Sequence, residues 1–124
     1  MDELVDRIVA KTGVDRTVAE KAVGIIFEFL SKEGPTDKVQ ALLDQLPGAN
    51  DAVAAARAND GGGGLFGGIG GGVMAVGSRL MSAGLGMGEI QGVTHELIAY
   101  AREKAGDEAV NDIVTAIPGL SQFI

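Results

Sequence analysis

The chain has 124 residues, no cysteine, 17 acidic residues and 10 lysines and arginines, which give a formal net charge of −7 and a pI near 4.5. A chain of this length is expected to form one domain with its own core, and the lack of cysteine excludes disulfides, cysteine-ligated metals and thiol chemistry. The acidic balance argues against general binding to nucleic acids, because phosphate contacts need clustered lysines and arginines.

Charge and glycine divide the chain into three parts. Residues 1–60 and residues 89–124 each carry a net charge of −4, whereas residues 61–88 contain one charged residue, Arg79, and 13 of the 20 glycines. The first eleven residues include three acidic ones, which is the wrong sign for the start of a secretory signal. We therefore expect a cytoplasmic protein.

The first part predicts two helices before residue 35. Apolar residues at helical spacing indicate a first helix, and Gly13 suits the left-handed backbone that follows a helix end. A second helix begins after an N-cap at Asp15, or at Thr17 with Glu20 completing a capping box. Gly34-Pro35 ends that helix, because proline disfavours helical geometry at the preceding residue. The apolar positions of the two helices are Leu4, Val5, Ile8 and Val9, then Val18, Ala19, Ala22, Val23, Ile26, Phe27, Phe29 and Leu30.

Two shorter helices are predicted between residues 36 and 58. Thr36 caps the third helix, which Pro47-Gly48 ends. Its apolar positions are Val39, Leu42, Leu43 and Leu46. An alanine-rich stretch over residues 51–58 predicts a fourth helix, capped by Asn50 or Asp51.

The glycine-rich middle predicts a linker followed by one helix. Five of the eight residues from Leu65 to Gly72 are glycine, and each costs about 1 kcal/mol relative to alanine in a helix. We therefore expect residues 61–72 to be a flexible linker. The glycine density then drops, and residues 73–83 form a predicted helix with an apolar face, ending at Gly84, Gly86 or Gly88. That face would contain Val73, Met74, Val76, Leu80 and Met81.

The last part repeats the residue pattern of the first. After a shift of 71 residues, Thr36 matches Asp107, and the apolar positions of the second helix match those around residues 90–100. The third helix and its Pro-Gly match as well: Val39, Leu42, Leu43, Leu46, Pro47 and Gly48 correspond to Val110, Ile113, Val114, Ile117, Pro118 and Gly119. We interpret the match as two copies of one helical hairpin. The alternative is that any two amphipathic hairpins align by their common period.

The predicted fold class is therefore all-α. We expect a small helical bundle of five to seven helices, in which two related helical hairpins are joined by the glycine-rich connection. The chain would be a single helical domain over residues 1–124, with N-terminal helices in 1–60, a linker at 61–72 and C-terminal helices in 73–124. Residues 1–12 would pack across one end of the hairpin pair. No segment shows the sustained alternation that is typical of a β-strand.

Three hypotheses compete for the glycine-rich segment. It is a linker followed by a core helix, a membrane or lipid contact, or a contact between copies of the chain. Glycines spaced by four residues, as at Gly64, Gly68 and Gly72, favour close helix packing in bilayers. Arg79 opposes the membrane hypothesis, because an arginine at the centre of a spanning helix costs at least about 2.5 kcal/mol.

Glycine spacing also suggests a nucleotide site, but its context does not fit. Gly62, Gly64 and Gly67 satisfy the G-x-G-x-x-G pattern. That pattern holds a pyrophosphate only where a buried strand precedes it and a helix follows it. The preceding residues do not form a strand, and no Lys-Ser or Lys-Thr pair follows, so we expect no nucleotide site.

The remaining chemistry-bearing residues do not form a catalytic pattern. His95 is the only histidine, and position 99, where a zinc-binding helix would carry a second histidine, is alanine. Helical spacing does not gather Glu89, Glu96 and Asp112 around His95, which we interpret as a structural or solvated residue. A serine nucleophile needs a base, and one histidine would have to serve any of Ser31, Ser78, Ser82 and Ser121. We therefore predict no catalytic, cofactor-binding or metal-binding residue and no enzyme.

Several stretches resemble a known group of bacterial proteins. They are Lys11-Thr12-Gly13-Val14-Asp15, Leu46-Pro47-Gly48-Ala49, the glycine-rich run into Gly88-Glu89-Ile90-Gln91, and Ile117-Pro118-Gly119-Leu120. Together they look like the small helical proteins of unknown function in the VcgC/VcgE-like group and its relatives. The resemblance implies an all-helical bacterial fold with a glycine-rich segment. It implies no activity and no site residues, because its motifs lie at helix ends.

These observations favour a structural or protein-interaction role without catalysis. We expect a protein partner or a homo-oligomer, no cofactor and no nucleic acid. The alternative is peripheral membrane or lipid binding through the glycine-rich apolar segment 65–88.

Overall fold

The computed structural model describes residues 2–46, 48–60 and 73–117. Within these ranges the chain forms seven α-helices and no strand, which confirms the predicted all-α class and the small bundle. In chain order the helices are α1 (Asp2–Thr12), α2 (Arg16–Glu33), α3 (Thr36–Gln45), α4 (Ala49–Asp60), α5 (Val73–Ser82), α6 (Met87–Ala105) and α7 (Asp107–Ala116). The predicted linker at 61–72 lies outside the described residues.

The ends of the first two helices follow the sequence signals. Gly13 has φ +76°, and its N–H donates to the carbonyl of Val9 at 2.8 Å, as expected for a glycine after a helix end. Helix α2 ends at Gly34, whose N–H donates to the carbonyl of Leu30 at 2.9 Å. Asp15 is the N-cap of α2, so the alternative start at Thr17 is wrong.

Two other predicted helix starts are displaced. Thr36 is the first residue of α3 and not its cap, since Pro35, with φ −64°, precedes the helix as its N-cap. Helix α4 begins at Ala49, so Asn50 and Asp51 lie inside its first turn. Gly48 causes the early start: its φ of +82° turns the chain directly after α3, and its carbonyl accepts the first helical hydrogen bond.

Helix α2 occupies the centre of the bundle. Helices α1, α3, α4, α5 and α6 all pack against it, and nine consecutive residues, 22–30, are buried. A helix that is buried around its whole circumference has no solvent face. The sequence predicted an apolar stripe on α2, whereas the structure also buries Gly24, Ile25 and Glu28.

Helix α4 lies directly against the backbone of α2. A Cβ atom added at Gly24 would come within 2.6 Å of the carbonyl oxygen of Ala52 and 3.3 Å of the Cβ of Ala56. Glycine at position 24 and alanines at the two facing positions therefore allow the two helices to approach closely. The closeness of this contact explains why α4, although alanine-rich, buries Val53 and Ala56.

A pair of glycine substitutions tests this contact. Gly24→Ala is expected to destabilise the protein by about 1–2 kcal/mol, because the overlap with a backbone atom outweighs the gain in helix propensity. Gly77→Ala in α5 is the matched control, since nothing lies within 4 Å of its added Cβ. That change should stabilise the protein by about 0.5–1 kcal/mol. Denaturant unfolding measures both values, and equal effects at the two positions would contradict the close approach.

The helix bounds and end geometry also follow the spacing of 71 residues. Helix α3 spans residues 36–45 and α7 spans 107–116. Leu46 ends α3 with φ −105° and ψ 108°, and Ile117 ends α7 with φ −108° and ψ 109°. Each donates its N–H to a carbonyl three residues earlier, that of Leu43 or Val114. Helices α3 and α7 also pack against each other.

Candidate interaction surface

Helix α5 runs antiparallel to α2. Arg79, in the last turn of α5, reaches Glu28 near the end of α2. A Cβ at Gly84, after α5, would lie 3.9 Å from Val18 near the start of α2. Among the described side chains of α5, Leu80 is fully buried and Val76 is partly buried against the core. Leu80, Val76 and Arg79 are thus described side chains of α5 that hold the helix in the bundle.

Arg79 forms a two-pronged ion pair with a buried carboxylate. The Glu28 side chain is 1% exposed, and its oxygens accept hydrogen bonds from Nη2 and Nη1 of Arg79 at 3.2 and 3.5 Å. Lys32, one turn further along α2, donates to the same carboxylate from 3.0 Å. The Arg79 side chain is 26% exposed and thus connects the buried acid to the surface.

These partners determine the charge state of Glu28. Burial raises the pKa of the carboxyl, but the hydrogen bonds and the positive charges of Arg79 and Lys32 together outweigh that effect, so the pKa lies below its ordinary value of 4.5. Glu28 is therefore ionised at neutral pH, and two cationic side chains offset its charge. The sequence analysis did not single out Glu28. Two features of the sequence could have suggested this pair. Glu28 is the one acidic residue within an apolar run, and Arg79 is the one charged residue in a segment that otherwise has none.

The turn between α5 and α6 is a Schellman motif. The N–H of Leu85 donates to the carbonyl of Leu80 at 3.2 Å, and that of Gly84, with φ +111°, donates to the carbonyl of Met81 at 3.1 Å. Leu80 and Leu85, which occupy the positions of the apolar pair that often accompanies this motif, are both buried. Helix α6 then begins with Glu89 accepting a hydrogen bond from the N–H of Gly86 at 2.8 Å.

Two methionines are exposed on either side of this turn. Met81 is 54% exposed and Met87 is 63% exposed, and they are the large apolar side chains most open to solvent in the described ranges. The sequence placed Leu80 and Met81 together on one apolar face of α5, whereas the structure buries Leu80 and exposes Met81. Leu80 occupies the buried position, and the next residue lies about 100° further around the helix. The side chains of Val73 and Met74 lie outside the described part.

None of the exposed residues in the segment 76–88, which contains the turn, is charged. From residue 76 to residue 88 the exposed residues are Ser78, Met81, Ser82, Gly84, Gly86, Met87 and Gly88. We call these residues the methionine corner. Arg79, the charged residue within that range, is bonded to Glu28. The residues of the corner are thus uncharged and partly apolar, and the Arg79 side chain, 26% exposed, lies beside them on a chain with a net charge of −7.

A second cluster of charges connects α1 to α6. Arg7 forms ion pairs with Glu96 at 3.4 Å and Glu103 at 2.6 Å, and Lys11 reaches Glu96 at 3.5 Å. The guanidinium of Arg7 also lies 5.7 Å from the ring centre of Tyr100, a cation–π distance. The hydrogen bond to Glu103 raises the pKa of Arg7. These contacts join two helices, and their groups satisfy one another.

The structure does not bring the sequence candidates together into a site. His95 is exposed on α6, and no group of three His, Asp or Glu side chains able to hold a metal ion occurs among the described residues. Glu96 faces Arg7 and Lys11, Asp112 pairs with Lys38 at 2.8 Å, and Glu89 caps α6. Ser78 and Ser82 are exposed and Ser31 is half-buried, while Ser121 and the glycines of the G-x-G-x-x-G pattern, Gly62, Gly64 and Gly67, lie outside the described residues.

Comparisons with protein-family models, with curated proteins and with solved structures found no match to this chain. Among the helices that the structure describes, none is long and apolar enough to cross a membrane. The methionine corner is thus the candidate functional surface that the described residues offer.

Proposed function

We propose that the protein acts without catalysis, as a structural or interaction protein that binds another protein through the methionine corner. The observation that carries this proposal is the exposure of Met81 and Met87 on either side of one turn. Exposed methionines suit a binding surface, because their flexible, polarisable side chains adapt to an apolar partner. A single exposed apolar residue is ordinary on a protein surface, whereas two flanking the same tight turn favour a contact site.

The corner is held in a defined shape, which lowers the entropic cost of binding. The Schellman bonds fix the turn, Glu89 fixes the start of α6, and the Glu28–Arg79 ion pair fixes α5 on α2. The methionine side chains thus project from a rigid support and not from a loop.

Membrane or lipid binding through residues 65–88 is the alternative role. The same methionines would enter the headgroup region of a bilayer, but binding to anionic lipids is strengthened by lysines and arginines near the surface. The one lysine or arginine in residues 73–88 is Arg79, and it forms an ion pair with Glu28. The charge distribution therefore favours a protein partner over an anionic membrane.

Site-specific photocrosslinking tests the proposed function. A photoreactive residue is placed at position 81 or 87 in the cells that make the protein, and at Ala54, an exposed position on α4, as the control. We expect covalent adducts with protein from positions 81 and 87 and few from position 54. Absence of adducts at the corner, or equal labelling at position 54, would overturn the proposal.

Vesicle flotation tests the lipid alternative. With vesicles of phosphatidylglycerol and phosphatidylethanolamine, we expect the wild-type protein to stay unbound. Flotation that Met81→Glu and Met87→Glu abolish would replace the protein-binding role with the lipid-binding one.

We also propose that α2–α3 and α6–α7 are two copies of one ancestral hairpin, in a bacterial cytoplasmic protein related to the VcgC/VcgE-like group. The equal spacing of helix bounds and of the residues that end α3 and α7 supports the duplication. Buried apolar residues also correspond across the shift: Ala22 with Val93, Ile26 with Leu97, Phe27 with Ile98 and Leu42 with Ile113.

A further inference from the structure

Helices α1 and α5 extend the correspondence between the two halves of the chain. After the shift of 71 residues, α1 matches α5, α2 matches α6 and α3 matches α7, which gives two equivalent three-helix units. The turns after α1 and α5 correspond as well: Gly13 and Gly84 both have a positive φ, and the residues that follow them, Val14 and Leu85, are both buried. Each unit thus begins with a helix that has a counterpart in the other unit.

These two helices form ion pairs with the opposite unit. Arg7 and Lys11 of α1 contact Glu96 of α6 at 3.4 and 3.5 Å. Arg79 of α5 contacts Glu28 of α2 at 3.2 Å. Each helix also packs against the second helix of its own unit. Helices α1 and α5 therefore lie against the same two helices, α2 and α6, at places that correspond to each other.

The backbone permits a second arrangement, in which α1 and α5 exchange places. Helix α1 ends beside the start of α6, since a Cβ added at Gly92 would lie 2.6 Å from Cγ2 of Thr12. Helix α5 is followed by Gly84, whose added Cβ would lie 3.9 Å from Val18 near the start of α2. A short turn joins each of the two helices to its own unit. Both places are within reach of both turns, so the side chains must distinguish them.

We propose that the ion pairs select between these arrangements and thereby keep α1 on α6 and α5 on α2. The residue of α1 that corresponds to Arg79 is Ile8. With α1 in the place of α5, Glu28 would keep Lys32 but lose Arg79 and face the isoleucine. The Glu28 side chain is 1% exposed, and loss of a cationic partner is costly for a carboxylate that is so buried. This selection goes beyond the proposed function, because it does not depend on what the methionine corner binds.

The place of α1 on α6 is selective for the same reason. Ser78 and Ser82 of α5 correspond to Arg7 and Lys11. The Glu96 side chain is 13% exposed and contacts both cations of α1. In the exchanged arrangement it would face serine hydroxyls, which bind a carboxylate less strongly than charged donors do. Each set of ion pairs thus opposes the exchange at one of the two places, as polar residues do when they fix the register of a coiled coil.

Two engineered disulfides report which arrangement the chain adopts, since it has no cysteine of its own. Thr12→Cys/Gly92→Cys reports the native arrangement, because the two Cβ atoms would lie 3.9 Å apart, a distance typical of disulfides. Thr12→Cys/Lys21→Cys reports the exchanged arrangement, because Lys21 of α2 corresponds to Gly92. With all charges native, a glutathione redox buffer should close the first pair and leave the second largely open. Mass spectrometry after alkylation measures the closed fraction.

Exchanging the charged residues between α1 and α5 tests the selection. The variant carries six substitutions at three pairs of corresponding positions: Arg7→Ser, Ile8→Arg, Lys11→Ser, Ser78→Arg, Arg79→Ile and Ser82→Lys. The equilibrium constant for closing the 12/92 disulfide should fall at least about tenfold, because each ion pair now favours the other place. The 12/21 disulfide should become the main product. Closure of the 12/92 disulfide to the same extent as with native charges would overturn the proposal.

Ala10→Met/Met81→Ala is the matched control for this exchange. The two positions also correspond across the shift and are both exposed, but neither residue is charged. The control should leave closure of the 12/92 disulfide unchanged. A fall as large as that in the six-substitution variant would overturn the role of the ion pairs.

Exchanging the facing residues of α2 and α6 as well should restore the native arrangement. This variant adds six substitutions: Ile25→Glu, Glu28→Ala, Lys32→Glu, Glu96→Ile, Ala99→Glu and Glu103→Lys. Each base then faces an acid again with α1 on α6, so closure of the 12/92 disulfide should recover. This rescue also decides the case in which the first variant does not fold. Recovery would support selection by the ion pairs, and failure to recover would overturn it.

Discussion

Arg79→Met is expected to lower the free energy of unfolding by about 3 kcal/mol, because it leaves a buried carboxylate with one cationic partner in place of two. Glu28 is 1% exposed, so its charge cannot be solvated when Arg79 is removed. The double variant Glu28→Met/Arg79→Met should recover most of the loss, since replacing both partners by apolar groups removes the uncompensated charge. Denaturant unfolding of the two single variants and the double variant measures the coupling.

Lys32→Met is the matched control for that experiment. Lys32 contacts the same carboxylate, but its side chain is about half exposed, so its removal should cost less than about 1 kcal/mol. If Arg79→Met cost no more than Lys32→Met, the ion pair would not be what holds α5 on α2.

The pH dependence of the folding stability provides a second test of the Glu28–Arg79 ion pair. Because its pKa in the folded protein is below the ordinary value of 4.5, ionised Glu28 stabilises the fold above that pH, and this contribution is lost as the pH falls through the lowered value. In the Arg79→Met variant the pKa of Glu28 should rise. The stability difference between wild type and variant should therefore shrink on acidification, since a protonated Glu28 needs no cationic partner.

Shortening a buried side chain on α3 or on α7 is expected to have the other large effect on stability. Leu43→Ala in α3 and Ile113→Ala in α7 should each cost about 2–5 kcal/mol, the usual range for removing buried methyl groups and leaving a cavity. Each side chain is 2% exposed and belongs to the same core. The double variant should lose about 4–10 kcal/mol, which is a large part of the total stability of about 5–15 kcal/mol of a domain of this size.

An exposed position on the same helix serves as the control. Gln45→Ala, at the end of α3, should change the stability by less than about 0.5 kcal/mol. Losses below about 1 kcal/mol at both Leu43 and Ile113 would contradict the packing of the hairpins around one core.

Local signals in the sequence were sufficient for the fold class and for several helix ends. Gly13 and Gly34-Pro35 predict where the chain leaves α1 and α2, because their backbone preferences act within one or two residues. The exact starts were less predictable. The backbone conformations of Pro35 and Gly48 start α3 and α4 one or two residues earlier than the side-chain caps predict. Thr36 and Asn50 therefore lie inside the helices and do not serve as caps.

The enclosure of α2 could not be predicted from periodicity. An apolar stripe identifies one buried face, but the opposite face of α2 is covered where Gly24 admits α4 and where Glu28 meets Arg79. Neither residue is apolar and large, so neither contributes to a helical pattern. The partners Glu28 and Arg79 are also 51 residues apart, and no spacing rule links positions on two helices across a glycine-rich segment.

The candidate surface was predicted in part. Charge counting showed that residues 61–88 are nearly uncharged, and this property defines the methionine corner. The exposure of Met81 was not predicted, because Leu80 and Met81 are adjacent and equally apolar. Which of two such neighbours points inward depends on where α5 lies on α2, and the ion pair and the Schellman turn contribute to that position.

The central position of α2 also has a consequence for protein synthesis. At about 5–20 residues per second, α2 leaves the ribosome several seconds before α5 and α6, two of the five helices that cover it. During that interval the nascent chain exposes part of an apolar run, residues 22–30, of a kind that promotes aggregation. A carboxylate within that run acts as a gatekeeper against such association. We therefore expect Glu28 to oppose association of the exposed run until Arg79 is synthesised and pairs with it.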